Sequence, residues 1–266
     1  LYRSNQMSYK SAICFVADFK YLYKYFDNIY QELKNNGKYD GEIIILTTLF
    51  SPTFLLKSIR GNRRISVLRY KKIKFFKKTK SEYLNLNTNG QPNRFKYKNF
   101  QWHKLHLFDK RIKNWDYIFY MDINMHIHFD INKILEIRPL NQLFARADGY
   151  PDYQKKLSSQ FDDQHPLYSS LKKIYNLESL DYFQTGILYF DTSIIDESTK
   201  KDLINLAEKF PLSTTNEQGI MNLYFKDTKN LYSELVKKID SYTSYFYWLV
   251  ENEKIIITKQ LKTKYK

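Results

Sequence analysis

Residues 115–134 read WDYIFYMDINMHIHFDINKI, an apolar run that stops at Asp122, with Asn124 two positions further on. Residues 117–121 are mostly aromatic or β-branched and are closed by polar groups, which predicts a short buried strand. In open α/β sheets the carboxyl ends of such strands border the ligand crevice. A carboxylate and an amide placed there offer two hard oxygens to one cation. The stretch therefore predicts a site for a metal ion and a phosphate, although Asp and Asn at strand ends are also ordinary turn formers.

The segments before this strand alternate between strand and helix. Apolar patterning predicts strands at residues 11–17, 42–48 and 65–69, and helices at residues 21–33 and 100–112. Ser51 and Pro52 suit the start of a further helix, and Gly61 suits the position just past its end. Residues 85–93 form a predicted loop. This order predicts a mostly parallel, doubly wound sheet flanked by helices.

After residue 124 the pattern is less regular. The later predicted elements are strands at 143–147, 182–190 and 254–258, helices at 198–210 and 217–225 with Asn216 as the N-cap of the second, a turn at 148–152 and a loop at 160–166. Residues 243–250 are aromatic and fit no single element. Gly186 inside a predicted strand indicates either the close approach of a ligand or backbone, or a bulge.

No internal repeat or long linker divides the chain. We therefore expect a single α/β domain over residues 1–266. Its nucleotide-binding half would cover about residues 11–124, and its sugar- and acceptor-binding half about residues 125–258. A basic tail at 259–266 would follow.

Positive charge is concentrated in one window of the chain. The net charge is +15 at pH 7, and residues 43–81 contain no acidic residue. The cations of this window are Lys57, Arg60, Arg63, Arg64, Arg69, Lys71, Lys72, Lys74, Lys77, Lys78 and Lys80. Such a window indicates either a phosphate-bearing partner (nucleotide, nucleic acid or anionic lipid) or a solvated basic surface.

Several other classes of site lack their key residues. The lone cysteine, Cys14, lies in an apolar run and is expected in the core. His126 and His128 alternate along a predicted strand, but no Cys or third His nearby completes a zinc site. No Gly-x-Gly-x-x-Gly motif, P-loop or nucleophile motif occurs.

The location of the protein is predicted from what the sequence lacks. No apolar run reaches the roughly 20 residues that a membrane-spanning helix needs, and neither a signal peptide nor an Asn-x-Ser/Thr sequon is recognisable. A cytoplasmic location is expected. The Lys-, Asn- and Ile-rich composition indicates an AT-rich genome, cellular or viral, and a viral source would mean the host cytoplasm.

Five segments, taken in order, resemble the family 8 retaining glycosyltransferases, a GT-A-fold group that includes glycogenin and bacterial galactosyltransferases. The resemblance covers residues 12–258. Its segments are Val16-Ala17-Asp18-Phe19-Lys20-Tyr21 with Lys104-Leu105-His106, Phe119-Tyr120-Met121-Asp122-Ile123-Asn124, Ala147-Asp148, Phe183-Gln184-Thr185-Gly186-Ile187-Leu188 and Glu217-Gln218-Gly219-Ile220-Met221-Asn222.

The resemblance implies transfer of a hexose from a UDP-sugar to a glycan or protein acceptor, with retention of anomeric configuration. It also implies residue roles: Asp18 and Tyr21 at the uracil and ribose, Lys104 at the phosphate or sugar, Asp122 and Asn124 at Mn²⁺ or Mg²⁺, Asp148 and Gln184 at the sugar, and Gln218 with Glu217 beside it at the reacting face.

Two departures from the family pattern concern the metal. Asn124 stands where the family has a second Asp, and residues 255–259 contain no counterpart of the His that supplies a third ligand. We therefore expect lowered metal affinity, or compensation of the diphosphate by Lys259 or another cation of the tail.

Two further hypotheses belong to the binding class. One is a degenerate GT-A domain that holds a sugar nucleotide or a partner without turnover. The other is a nucleic-acid binder that uses residues 57–80, where Phe75 and Phe76 are the only adjacent aromatic pair.

Overall fold

The computed structural model describes residues 9–149, 153–235 and 257–259. The strands are β1 (Ser11–Val16), β2 (Glu42–Thr48), β3 (Ile65–Tyr70), β4 (Tyr117–Met121), β5 (Met125–Ile127), β6 (Leu143–Ala147), β7 (Phe183–Asp191), β8 (Tyr232–Glu234) and β9 (Ile257–Lys259). The α-helices are α1 (Phe19–Asn35), α2 (Lys77–Leu84), α3 (Arg94–Tyr97), α4 (Asn132–Leu135), α5 (Tyr168–Ile174), α6 (Thr199–Lys209) and α7 (Glu217–Met221), and α7 continues as a π-helix over Asn222–Thr228. The 3₁₀ segments are Thr53–Leu55, Asn99–Phe108, Lys110–Asn114, Leu157–Gln160 and Thr192–Ile194.

Seven strands form one mixed sheet in the order β3-β2-β1-β4-β7-β6-β8. All neighbours are parallel except β7, which is antiparallel to β4 and to β6. Strands β5 and β9 pair separately as a two-stranded antiparallel sheet. The predicted α/β domain, with a mostly parallel sheet flanked by helices, is confirmed.

Core residues cover both faces of the central strands, which explains why these strands read as continuous apolar runs. Cys14 belongs to the core cluster on one face, and its neighbour Phe15 belongs to the cluster on the other. The expectation that Cys14 lies in the core is confirmed, because its side chain is fully buried. Helix α1 covers the Phe15 face with an apolar stripe formed by Leu22, Phe26, Ile29 and Leu33.

The helix predicted at residues 100–112 is wrong in type, because the chain forms two 3₁₀ segments there, Asn99–Phe108 and Lys110–Asn114. Every residue from Trp102 to Phe108 is buried. A surface α-helix would leave one side exposed to water. This segment is enclosed instead and contacts β2, α6 and α7. Because it is buried on all sides, the spacing of its apolar residues does not distinguish a 3₁₀ helix from an α-helix.

One predicted helix start is wrong, and another is confirmed in position but lacks the expected side-chain cap, since α7 begins at Glu217 directly after Asn216. The expected helix after Ser51 and Pro52 is only a 3₁₀ turn, Thr53–Leu55, because the Ser51 hydroxyl pairs with Thr47 Oγ1 (2.7 Å) instead of capping a helix. Asn216 precedes α7 but makes no side-chain cap. Its amide donates to the carbonyl of Lys98 (3.2 Å), in a backbone conformation with φ of 55°.

The two histidines of residues 126–128 hold β5 in place. His126 Nδ1 lies 2.8 Å from Glu32 Oε1 on α1, and His128 Nε2 lies 2.6 Å from Thr258 Oγ1 on β9. Of the strand predicted at residues 254–258, the structure describes only residues 257 and 258, which belong to β9. Residues 254–256 lie outside the described part. The same is true of residues 150–152, 243–250 and 260–266.

Among the described residues no helix has the length and apolar character needed to cross a bilayer.

Candidate active site

Polar residues from several strands meet at the edge of the sheet where the parallel strands end. Asp18 follows β1, Asp122 follows β4 and Asp148 follows β6. Because β7 runs the opposite way, its first residues, which include Gln184 and Thr185, lie at the same edge. Most of the predicted site residues are thus brought to one edge by the topology.

A bulge in β7 shapes this edge. Ala145 of β6 pairs with Leu188, whereas Ala147 pairs with Phe183, so that four residues of β7 lie opposite a single residue of β6. The pairing of β7 with β4 continues regularly, with Met121 opposite Ile187. Of the two readings of Gly186, the structure shows the bulge. The bulge frees the backbone of Thr185 from the ladder with β6.

Lys104 lies at the centre of a buried charge network. Its Nζ atom lies 3.1 Å from Asp122 Oδ1 and 3.3 Å from Glu217 Oε1, and it donates to the carbonyl of Thr185 at 2.9 Å. An ammonium group has three hydrogens to donate, and these three acceptors surround this one, with Thr185 Oγ1 further away at 3.5 Å. We call Lys104, Asp122, Thr185 and Glu217 the lysine network.

Two hydroxyl groups support the carboxylates of the lysine network. Tyr120 donates to Asp122 Oδ1 at 2.6 Å, and Thr185 Oγ1 donates to Glu217 Oε1 at 3.0 Å. The other carboxylate oxygen of Glu217, Oε2, is buried without a hydrogen-bond partner among the described atoms. Glu217 therefore has unused hydrogen-bonding capacity inside the site.

Burial and proximity set the protonation of these groups. Burial lowers the pKa of Lys104, but the carboxylates of Asp122 and Glu217 outweigh it and raise that pKa above its ordinary value. Burial raises the pKa of Glu217, and the ammonium of Lys104 offsets only part of that rise. Lys104 is therefore firmly protonated, while Glu217 titrates at a higher pH than an exposed glutamate.

A second group of polar side chains surrounds Asp148. Its carboxylate accepts hydrogen bonds from Tyr182 and Gln184 and forms a salt bridge with Lys155 (3.1 Å). Burial raises the pKa of Asp148, but these three donors together bring it below its ordinary value. We call Asp148, Lys155, Tyr182 and Gln184 the aspartate cluster. It holds one ionised carboxylate at neutral pH.

Gln218 and Asn222 connect α7 to β7. Gln218 Oε1 accepts from the Thr185 amide (3.2 Å), and Gln218 Nε2 donates to Gln160 Oε1 (2.8 Å). The Asn222 side chain is fully buried; it accepts from the amide of Phe183 (2.8 Å) and donates to the Phe183 carbonyl (2.9 Å). The partner of Gln218, Gln160, lies in the chain between Ser159 and Phe161, which line a surface cavity of about 380 Å³ together with Tyr97 and Thr214.

Asp18 and Tyr21 lie at the start of α1. Asp18 Oδ1 accepts a hydrogen bond from the amide of Tyr21 (2.9 Å), so Asp18 is the N-cap of this helix. The Tyr21 side chain is half exposed. Since β1 and β4 are parallel neighbours, with Cys14 opposite Tyr120, Asp18 and Asp122 leave the sheet side by side.

The predicted metal ligands Asp122 and Asn124 fit a divalent cation poorly. Asp122 is already paired with Lys104, whereas Asn124 lines a separate small cavity of about 150 Å³ against α1, together with Glu32 and His126. A turn closed by Met125 N to Asp122 O (3.2 Å) separates the two side chains. Within residues 9–149, 153–235 and 257–259 no three His, Cys, Asp or Glu side chains are grouped to hold a metal ion.

The sequence motifs did not reveal every member of the site. The sequence does not mark Thr185, Tyr182, Lys155 or Gln160 as site residues, although Thr185 lies inside the Phe-Gln-Thr-Gly segment. Lys155 and Gln160 come from a region without clear periodicity. The only available signal was their position close after a strand-end Asp.

No protein-family model matches the chain, and no curated protein matches it by sequence. Solved structures do match its fold. The galactosyltransferase LgtC, in a complex with donor and acceptor sugar analogs, is 12% identical with a TM-score of 0.55, over 93% of this chain and 86% of LgtC.

Two longer proteins also match. The bifunctional glycosyltransferase WbbM is 15% identical with a TM-score of 0.51, over 91% of this chain and 41% of WbbM. The apo form of the glycosyltransferase GlyE of Streptococcus pneumoniae TIGR4 is 15% identical with a TM-score of 0.51, over 96% of this chain and 55% of GlyE. The chain thus spans about half the length of these two proteins or less. The likeness to these structures shows that the chain has the GT-A glycosyltransferase fold.

Proposed function

We propose that the chain is a glycosyltransferase that moves a hexose from a UDP-sugar to an acceptor hydroxyl, with retention at the anomeric carbon. The observation that carries this proposal is the meeting of the lysine network and the aspartate cluster at the carboxyl edge of a GT-A sheet. Ligands of open α/β sheets bind at this edge. Family 8 remains the family that the residue pattern resembles.

In the proposed reaction the bond between the anomeric carbon and the β-phosphate oxygen breaks, and UDP leaves with the electron pair. A bond forms between the anomeric carbon and the acceptor oxygen, and the acceptor proton passes to the departing β-phosphate oxygen. Positive charge develops on the sugar as the old bond breaks, so a nearby fixed carboxylate stabilises the transition state. Asp148, held ionised by its three donors, is assigned this role, with Gln184 beside it at the sugar.

Lys104 is assigned to the negative charge that develops on the diphosphate. Asp122 and Asn124 are poorly arranged to hold Mn²⁺ or Mg²⁺ by themselves, so no step of the proposal runs through a metal ion. The sequence predicts a metal site of lowered affinity, so the assay is run both with and without Mn²⁺. Asp18 and Tyr21 are assigned to the uracil and ribose, because they leave the sheet beside Asp122.

Gln218 is assigned to the reacting face of the sugar. A LgtC variant in which a glutamine is replaced by glutamate is described as an active site mutant, so an active-site glutamine occurs within this fold. The 380 Å³ cavity beyond Gln160 is assigned to the acceptor. Its hydroxyl groups and the exposed ring of Tyr97 suit a sugar or a polar peptide.

One observation favours the binding alternative, a GT-A domain without turnover. All three hydrogens of the Lys104 ammonium are directed at protein acceptors, so the diphosphate would have to compete with Asp122 and Glu217 for this charge. The two functions differ in turnover and not in nucleotide binding.

The assay measures UDP released from a panel of UDP-hexoses, with and without Mn²⁺, alongside UDP binding by calorimetry. We expect release with at least one donor, and a loss of about 10²-fold in Asp148→Asn, the size seen when one preorganised electrostatic group is removed. Asp196→Asn is the matched control, since Asp196 is exposed and follows β7 at the opposite edge. UDP binding without release from any donor would establish the binding alternative, and the absence of UDP binding would overturn both.

A further inference from the structure

The turn after β2 is held in a fixed shape by hydrogen bonds. In residues 49–55, Ser51 Oγ lies 2.7 Å from Thr47 Oγ1. Arg69 of the edge strand β3 donates from Nη2 to the Ser51 carbonyl (3.2 Å) and to Thr53 Oγ1 (2.7 Å). The shape of this turn is therefore specified by buried or half-buried polar groups.

This ordered turn exposes four large apolar side chains to water. The exposed fractions are 38% for Leu49, 93% for Phe50, 68% for Phe54 and 58% for Leu55, while Leu56 is buried and anchors the turn. No other run of seven described residues holds more than two of the large exposed apolar side chains. Exposed apolar residues that are scattered singly need no explanation, but a cluster indicates an interaction surface.

Unpaired cations surround the turn. β2 and β3 are parallel, with Thr48 opposite Tyr70, so the exposed lysines that follow β3 lie at the same edge as the turn. Helix α1 begins at this edge as well. The exposed cations here are Lys20, Lys57, Lys71, Lys72 and Lys74, and none of them forms a salt bridge with a described carboxylate.

A bilayer with anionic headgroups complements both halves of this surface. Leucine and phenylalanine side chains enter the boundary between headgroups and acyl chains, and lysines beside them are attracted to lipid phosphates. Single-stranded nucleic acid is bound by aromatic rings that stack on bases. Leu49 and Leu55 cannot stack in this way, so the composition of the turn favours lipid over nucleic acid.

We propose that residues 49–55 and the surrounding lysines form a docking surface for anionic lipid bilayers. Docking would place the carboxyl edge of the sheet, and with it the candidate active site, against the membrane surface. The inference is independent of the proposed function, because its test measures binding to vesicles and needs no turnover.

The experiment is co-sedimentation of the full chain with vesicles of phosphatidylcholine alone or mixed with phosphatidylserine, at low and high salt. We expect binding to the mixed vesicles, weakened by salt. The double variant Phe50→Ser/Phe54→Ser should lower the partition coefficient by at least about tenfold, since each ring loses its burial in the bilayer. Lys71→Gln/Lys72→Gln should lower it by about fivefold per lysine.

Leu140→Ser is the matched control. Leu140 is 68% exposed but lies just before β6, at the opposite edge of the sheet, and its replacement should leave vesicle binding unchanged. Thermal unfolding of each variant checks that the fold is kept, and the lysine pair tests the proposal independently of the phenylalanines. The proposal is overturned by a wild-type chain that ignores mixed vesicles at low salt, or by Phe50→Ser/Phe54→Ser binding them normally. Tighter wild-type binding to an oligonucleotide, weakened by that double variant, would assign the surface to nucleic acid instead.

Discussion

The lysine network and the aspartate cluster lie at the same edge of the sheet, but they hold charge in different ways. Lys104 and Glu217 are 5% and 1% exposed, so the charges of the network are balanced by one another. In the aspartate cluster the Lys155 side chain is 60% exposed, so part of the positive charge that stabilises the Asp148 carboxylate lies in contact with water. We infer that the network is a fixed electrostatic framework, whereas Asp148 and Gln184 are able to exchange their partners for a substrate.

Replacing Lys104 should have the largest effect on stability. In Lys104→Met the carboxylates of Asp122 and Glu217 lose their buried counter-charge, which costs about 3–5 kcal/mol of unfolding free energy. Urea unfolding measures this loss. If the variant unfolds at the same urea concentration as the wild type, the two carboxylates do not depend on Lys104 and the network as described is wrong.

Asn222→Ala should have the next largest effect. Asn222, which directly follows α7, forms hydrogen bonds with β7, the strand that contributes residues to both the lysine network and the aspartate cluster. The variant leaves the buried amide and carbonyl of Phe183 without their side-chain partners, at a cost of about 2–3 kcal/mol. Asn205→Ala, on the partly exposed part of α6, is the control and should change stability little. Equal losses in the two variants would show that Asn222 has no special role.

The opposite pKa shifts of Glu217 and Asp148 predict opposite pH dependence. The pKa of Glu217 is raised in the folded state, so its protonation contributes stability that is complete below pH 4.5 and is lost as pH rises through the raised pKa. Glu217→Gln should therefore gain stability relative to wild type as pH rises.

The pKa of Asp148 is lowered, so its contribution is complete above pH 3.8 and is lost as pH falls through the lowered value. Asp148→Asn should remove that loss at acid pH. Unfolding midpoints of the two variants and the wild type across the acid range measure both effects. If the stability of both variants relative to wild type changes with pH in the same direction, the opposite pKa shifts of Glu217 and Asp148 are contradicted.

Lys155→Met should have the smallest effect. The Lys155 side chain is 60% exposed, and salt bridges made by exposed side chains contribute about 0–1 kcal/mol. Urea unfolding beside Lys104→Met compares the two lysines directly. A loss from Lys155→Met as large as that from Lys104→Met would remove the distinction between the two regions.

The meeting of these residues was predictable, and their pairing was not. The alternation of strand and helix before residue 121 predicts parallel strands, and parallel strands bring Asp18 and Asp122 to one edge. Asp148 reaches the same edge only because β6 pairs with the antiparallel β7, which the alternation does not predict. The contact between Lys104 and Thr185 joins positions 81 residues apart through a bulge in β7, which sequence periodicity does not report.

Three features of the structure do not follow from local sequence pattern. Residues 102–108 are enclosed and adopt 3₁₀ geometry, and the turn after Asp122 directs Asn124 away toward α1. Helix α2 was not predicted, because only Thr79 and Tyr83 are buried in a lysine-rich run and no apolar stripe is visible.

The most direct test of the account is a crystal structure of the protein with a UDP-2-fluorohexose, which resists transfer. We predict that the hexose hydroxyls lie within hydrogen-bond distance of Asp148 and Gln184, and that the diphosphate lies beside Lys104 and Asp122. A nucleotide sugar bound elsewhere on the chain, with the lysine network and the aspartate cluster both free of ligand, would contradict it.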